Sequence, residues 1–458
     1  MATATSEPVR LPPALPIPKA IQGLGFLFSQ HKVFAALDRR YGHAFTLNLP
    51  YFGQTVIISD PTLVKDIFST SLELIGRPVL TYGEVLGYGS TFNLEGTELV
   101  ERRRLLLPPF HSKRVGSYES IIEEEVMREI AGWPEGREFE TLEPMMRITV
   151  SAILRAVFGA EGPALDELRE LVPPGVTLGA RLLLLPAIMR RDLGPWSTGG
   201  RLLHYRRRID ALIESLIAEA RADPALEDRR DVLSLLLQAR YDNGDPISDQ
   251  HIADELLTLM SAGHETTSLT LAWAVERLRR HPELLQRLTD EADRGGSVLR
   301  QATIWEVQRT RSVSPATMRR TKSRIRLGEW VLPENCNVMI SIELAHASSE
   351  NFPHPERFDP DRFAGGAPTP FAWIPFGGGI NRCVGAAFAN MEMDVTLRTL
   401  LRELRLEPTA APDERRHNRG LNIAPARGGR AVVYRRKTTE GSAGDSISAG
   451  DRASPQTR

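Results

Sequence analysis

Apolar residues recur at helical spacing through most of the chain, and strand-like runs are short and lie towards its two ends. Ile21 to Tyr41 reads as a helix, and Phe45 to Leu49 and Thr55 to Ser59 flank Gly53 as a hairpin. Asp60-Pro61 opens a short helix by capping chemistry. Residues 76–96 show no period, only scattered Gly, Tyr and Pro, so this long loop is a candidate substrate wall. Helical patterns follow at 97–107, 114–132, 141–158 and 164–171. Pro173-Pro174 is expected to break the chain, with an apolar helix resuming at 178–192 and a loop from Pro195 to Gly200. Further helices are expected at 201–222 and 231–241. Ser248 then caps the longest helix, which runs to about His281, before Pro282. Helices at 283–294 and 297–311 lead into a strand-like section, 316–343, and then into Pro-rich loops at 351–375. A helix over 386–404 and short strands at 405–408 and 430–435 end the pattern. The expected fold is mainly α with a minor β part.

Composition narrows this picture modestly. A chain of 458 residues can bury a large core, and a net charge of −1 gives no reason to expect nucleic acid as a partner. Two cysteines, Cys336 and Cys383, offer no disulfide framework and suit a reducing cytoplasm. No secretory signal is visible, and the most apolar windows are too short for a membrane span. Residues 1–19 are Pro-rich and expected to run extended, 20–437 form one domain, and the Ser, Gly, Asp and Thr composition of 438–458 predicts disorder.

Four stretches carry candidate chemistry. Phe376-Gly377-Gly378-Gly379-Ile380-Asn381-Arg382-Cys383-Val384-Gly385 sets a lone cysteine between a glycine run and a helix start. The helix N-terminus and Arg382 favour a thiolate, the glycines make room for a flat group, and such a sulfur suits an axial iron ligand. By contrast Cys336, in a strand-like stretch without a second ligand, reads as structural. In the longest helix, Ala262-Gly263-His264-Glu265-Thr266-Thr267 places an acid beside two hydroxyls. Thr266 can back-bond to the carbonyl of Ala262, Gly263 lets a planar ligand approach, and Glu265 can relay protons. Glu306 and Arg309 form an acid–base pair on one helix face, and residues 354–363 supply Pro, Phe and Arg at fixed spacing.

In this order, the four stretches resemble the cytochrome P450 haem-thiolate family, soluble bacterial type, over about residues 20 to 435. The resemblance implies that Cys383 ligates the iron of haem b, with Phe376, Gly377, Gly385, Gly263 and Arg382 around the cofactor. It makes Thr266 and Glu265 the catalytic pair and Arg103 and Arg319 donors to the haem propionates. Glu306 and Arg309 become a structural pair completed by Arg362, which fits the longer family pattern better than Arg357. The implied activity is insertion of one atom of dioxygen into an apolar organic substrate by a monomeric protein, with electrons from a ferredoxin and its NAD(P)H-dependent reductase. Arg382, Arg398 and Arg402 form a candidate ferredoxin face. A peroxide-dependent enzyme and a non-catalytic haem- or ligand-binding protein are the alternatives.

The chain departs from the family pattern at Leu99, where Trp or His is usual, and at Asn381, where a basic residue is usual. Leucine cannot donate to a propionate, so weaker haem retention is expected. Ser312 stands where a proline is common, and His346-Ala347-Ser348-Ser349 replaces a His-Arg-Asp-Pro pattern.

Overall fold

A long helix, Asp249–Leu278, runs through the molecule and is buried along nearly its whole length. The computed structural model describes residues 1–49, 52–78, 82–159, 161–183 and 190–436. Ser248 starts this helix by accepting a hydrogen bond from the His251 backbone N–H through its side chain. Helices Leu142–Phe158, Val298–Thr310 and Ala386–Glu403 pack around it, and their buried faces merge into one large apolar core. A second apolar cluster lies under a five-stranded sheet. Its strand order is Ala44–Leu49, Gly53–Ile58, Asn337–Ser341, Ala316–Thr321 and Ile75–Gly76. The first two strands form the expected hairpin, and Gly53–Ile58 then pairs in parallel with Asn337–Ser341. Ile75 and Gly76 sit opposite Thr321 and Arg320 at the far edge.

Most element boundaries fall within a few residues of the sequence pattern, and the differences have identifiable causes. Pro173-Pro174 does not break the chain, because one helix runs through it as Pro163–Leu183. Two prolines remove two N–H donors, but Pro174 is exposed, and Val172, Gly175 and Gly179 bury the opposite face against neighbouring elements. Packing therefore outweighs the lost bonds, and Arg169 and Glu170, whose carbonyls lose those partners, are half-buried and exposed residues within reach of water. Residues 184–189 of the expected 178–192 helix lie outside the described residues, as does the tail from 437 onward, and 190–192 are not α-helical. The unpatterned 76–96 segment contains a short helix, Tyr82–Leu86. The expected 114–132 helix is interrupted by a tight turn, Gly116–Tyr118, before Glu119–Ile130. The strand-like section stops at Ser341 and turns directly into a helix, Ile342–Ala347. A small hairpin, Arg416–Asn418 with Ile423–Pro425, carried no visible period because each strand has three residues. The Pro-rich N-terminal segment is pinned to the sheets, with Thr3 opposite Arg326, Arg10 opposite Val331 and Ala14 opposite Thr46.

Candidate active site

Cys383 lies just before the helix Ala386–Glu403, and its backbone N–H donates to the carbonyl of Phe376 at 3.0 Å, closing the loop. Within the glycine run each residue answers a different demand. Gly377 has φ of 63° with open space beyond its Cα, and Gly379 has φ of 64°, so both occupy the left-handed region. Gly378 is extended, but a Cβ there would collide with the Phe68 ring. The loop is thus shaped as much by Phe68, at the end of the helix Pro61–Phe68, as by any ligand. Cys383 is exposed as a residue, although it lies deep within the surrounding protein. Burial pushes its thiol up, against the Gly385 N–H and the positive charges of Arg103 and Arg382, which favour the thiolate. Desolvation thus opposes the Gly385 N–H and the two arginines, and a coordinated cation would add to their pull towards the thiolate.

The long helix has one gap in its burial. From Ile252 to Arg279 every residue is buried except Ser261, Ala262, Gly263 and Thr266. Residues 262, 263 and 266 share a face, so the gap is a local groove along the helix. Thr266 donates to the Ala262 carbonyl at 2.8 Å, the back-bond its spacing predicts. A Cβ on Gly263 would lie 3.1 Å from Ile153, so this glycine also lets the helix Leu142–Phe158 approach closely. Glu265 points elsewhere. Its carboxylate accepts from Asn422 at 3.0 Å and pairs with Arg419 at 3.3 Å, both on the small hairpin that the sequence pattern missed.

A cluster of guanidinium groups gathers near the cysteine loop. Arg103 donates to the carbonyl of Arg382, and Arg319 donates to the carbonyl of Gly378 at 3.0 Å. Arg77, which no sequence motif flagged, donates to Asn381 Oδ1 at 2.8 Å. Burial lowers all three, bringing Arg77 and Arg319 down to about 10. The charges of Arg77 and Arg103 lower Arg319 further. Among the described residues none of the three forms an ion pair with a carboxylate, although most buried arginines here do. Leu99 is buried and apolar, and Asn381 serves as an acceptor for Arg77. In the run Arg102-Arg103-Arg104, Arg102 is the fully buried member, not part of a solvated face. It donates to the Gly89 carbonyl at 2.9 Å and to the Tyr241 hydroxyl, tying the 87–92 loop to its surroundings.

Behind the cysteine loop the expected charged trio comes together. Arg309 grips both oxygens of Glu306 at 2.7 Å, and Arg362 Nε reaches the same carboxylate at 3.3 Å. Arg357 contributes only its backbone carbonyl, which accepts from Arg309. Nearby, Ser312, a departure from the family pattern, joins the retained His346. His346 Nε2 accepts the Ile374 N–H at 2.9 Å, so its Nδ1 carries the proton and faces Ser312 Oγ at 3.1 Å. Further along the cysteine helix, the buried carboxyl of Glu392 faces Thr267, and burial raises it well above the usual range.

A model of the family described as Cytochrome P450 matches residues 10–428. Cytochrome P450 138 of Mycobacterium tuberculosis is 52% identical over 439 residues, covering 95% of this chain and 99% of that protein. Cytochrome P450 137 of the same organism is 35% identical, covering 92% of this chain and 90% of its own. Among solved structures, retinoic acid-bound cyanobacterial CYP120A1 superposes with a TM-score of 0.81 at 22% identity, covering 94% of this chain and 100% of that one. The last likeness concerns the fold; the family model and the mycobacterial relatives settle the family. The chain, with its accessible cysteine loop and its groove on a buried helix, belongs to the cytochrome P450 family of haem-dependent monooxygenases.

Proposed function

We propose that this cytochrome P450 binds haem b through Cys383 and inserts one oxygen atom of dioxygen into an apolar organic substrate. The residues present fit such a group. Cys383 is exposed as a residue, and three guanidiniums that have no carboxylate partner among the described residues suit a ligand bearing two carboxylates. When bound, haem supplies dioxygen activation, which electron donation from a thiolate favours. Arg103 and Arg319 would hold its carboxylates, while Phe376, Gly377, Gly385 and Arg382 shape the loop presenting the sulfur and Gly263 lets the helix Leu142–Phe158 pack closely. Glu306, Arg309 and Arg362 brace the region behind it.

The observation that carries this reading is the groove at Ser261–Gly263 and Thr266 on a helix otherwise buried from Ile252 to Arg279. It leaves the Thr266 hydroxyl able to release its bond to the Ala262 carbonyl and to hold or pass a proton at Oγ1 into the groove. Glu265 is the acid of this relay, and its pairing with Arg419 makes release of that pair part of proton delivery. Half-buried Ala316, Met318, Leu421 and Ile423 support an apolar substrate. Electrons come from a ferredoxin and its NAD(P)H-dependent reductase in the cytoplasm. Arg382 and Arg402 are exposed and suit an acidic partner, whereas Arg398 is taken up by Glu119 and Glu123. No helix among the described residues is long and apolar enough to cross a membrane.

With a surrogate ferredoxin and reductase, an apolar substrate should drive NAD(P)H oxidation and yield a product carrying one oxygen atom from dioxygen. Thr266→Ala should still consume NAD(P)H but form about tenfold less product, the difference appearing as hydrogen peroxide. Unchanged product yield in that variant contradicts the assignment. NAD(P)H oxidation independent of every apolar compound tried favours a non-catalytic haem protein.

A further inference from the structure

We propose that Arg77 binds a haem carboxylate and that Asn381 positions it, replacing the donors that Leu99 and Asn381 do not supply. The proposal rests on the haem-thiolate reading above.

Arg77 directly follows the edge strand Ile75–Gly76, whose pairing with Arg320 and Thr321 sets it alongside Arg319. Its position is fixed from several sides. Its backbone N–H donates to Glu95 at 3.0 Å, its Nη2 donates to Asn381 Oδ1 at 2.8 Å, and its guanidinium rests 5.8 Å from the Phe92 ring centre. Among the described residues its buried Nε has no hydrogen-bond partner. An unpaired donor on a buried cation is costly, and here it marks a place for an acceptor. One small cavity is lined by Arg77, Leu99, Arg319 and Asn381, so both departures from the family pattern border the space beside Arg77.

Charge points the same way. The carboxylates that reach Arg77 electrostatically are already engaged: Glu95 pairs with Lys322 at 3.0 Å, and Glu255 accepts from Thr91 and faces Arg102. Arg77, Arg103 and Arg319 thus repel one another without a carboxylate of their own, and a ligand with two carboxylates relieves that repulsion. Asparagine at 381 follows from this arrangement. Its carbonyl can accept from Arg77, whereas a basic residue there would repel it. The donor expected two residues before the ligand has moved to another segment, 304 positions away.

The test is the rate at which the holoprotein loses haem to excess apomyoglobin, compared for the wild type, Arg77→Gln, Arg77→Lys, Asn381→Ala and the Arg77→Gln/Asn381→Ala double variant. Arg77→Gln should speed loss by about tenfold, Asn381→Ala by less, and the double variant by no more than Arg77→Gln alone. Arg77→Lys should retain part of the slower rate. Reconstitution with haem dimethyl ester, which lacks free carboxylates, should abolish the difference between wild type and Arg77→Gln. A rate for Arg77→Gln within about twofold of wild type, or a difference that persists with the ester, overturns the proposal. Failure of the wild type itself to take up haem overturns instead the reading on which it rests.

Discussion

Gly378 shows how tightly single positions near the cysteine are specified. Its backbone is extended and would accept any residue, but a Cβ would strike the ring of Phe68, which also lies 5.5 Å from the Arg319 guanidinium. Gly378→Ala should therefore destabilise the fold by about 2 kcal/mol through overpacking. Combined with Phe68→Ala it should cost less than the two separate losses added together, by about 1 kcal/mol or more. Strict additivity in a denaturation cycle would count against steric conflict as the cause. At this scale the sequence was uneven. The back-bond of Thr266 and the contacts of Glu306 with Arg309 and Arg362 were legible because each residue sits at a fixed spacing within a motif. Arg77 was not, since nothing in Gly76-Arg77-Pro78 shows that it meets Asn381 across the fold. Nor does the run of three arginines reveal that Arg102 faces Gly89 and Tyr241 from inside.

Between elements, buried polar contacts do the joining. His346 links the end of the Val298–Thr310 helix, through Ser312, to the loop entering the cysteine region, through Ile374. Burial and then Arg309 lower this imidazole from 6.5 to about 3. The folded state thus binds fewer protons than the unfolded one below 6.5. The stability from neutral His346 is present above 6.5 and is lost progressively as pH falls towards 3. His346→Gln should flatten the fall of Tm between about pH 7 and about pH 5, and parallel curves for the two proteins would refute this. Long helices were readable from their period, and Ser248 marked the longest one from its side chain alone. The helix through Pro173-Pro174 was not, because tertiary packing there opposes local propensity. The Arg416–Asn418 hairpin was also hidden, although it supplies the partners of Glu265. The sequence placed that acid correctly in the helix but could not show that its charge is already paired.

In the whole molecule, the apolar core of the helices and the cluster under the sheet are separate bodies of packing, and the cysteine loop borders both. Phe68 and Ile374 belong to the sheet-side cluster, Phe388 and Val395 to the helical one, and Cys383 lies between these stretches of chain. The architecture was legible because four motifs occur in one order over most of the length, which constrains a fold far more than any motif alone. Long-range placement was not, since it depends on contacts such as Arg77 with Asn381 that leave no local pattern. The central claim is that Cys383 is the iron ligand of a haem-thiolate monooxygenase. Its most direct test is the carbon monoxide difference spectrum of the reduced protein, recorded for the wild type and Cys383→Ser. A thiolate-type band is expected in the wild type, with its loss in the variant. A wild type without that band, or a variant that keeps it, would rule out Cys383 as the ligand.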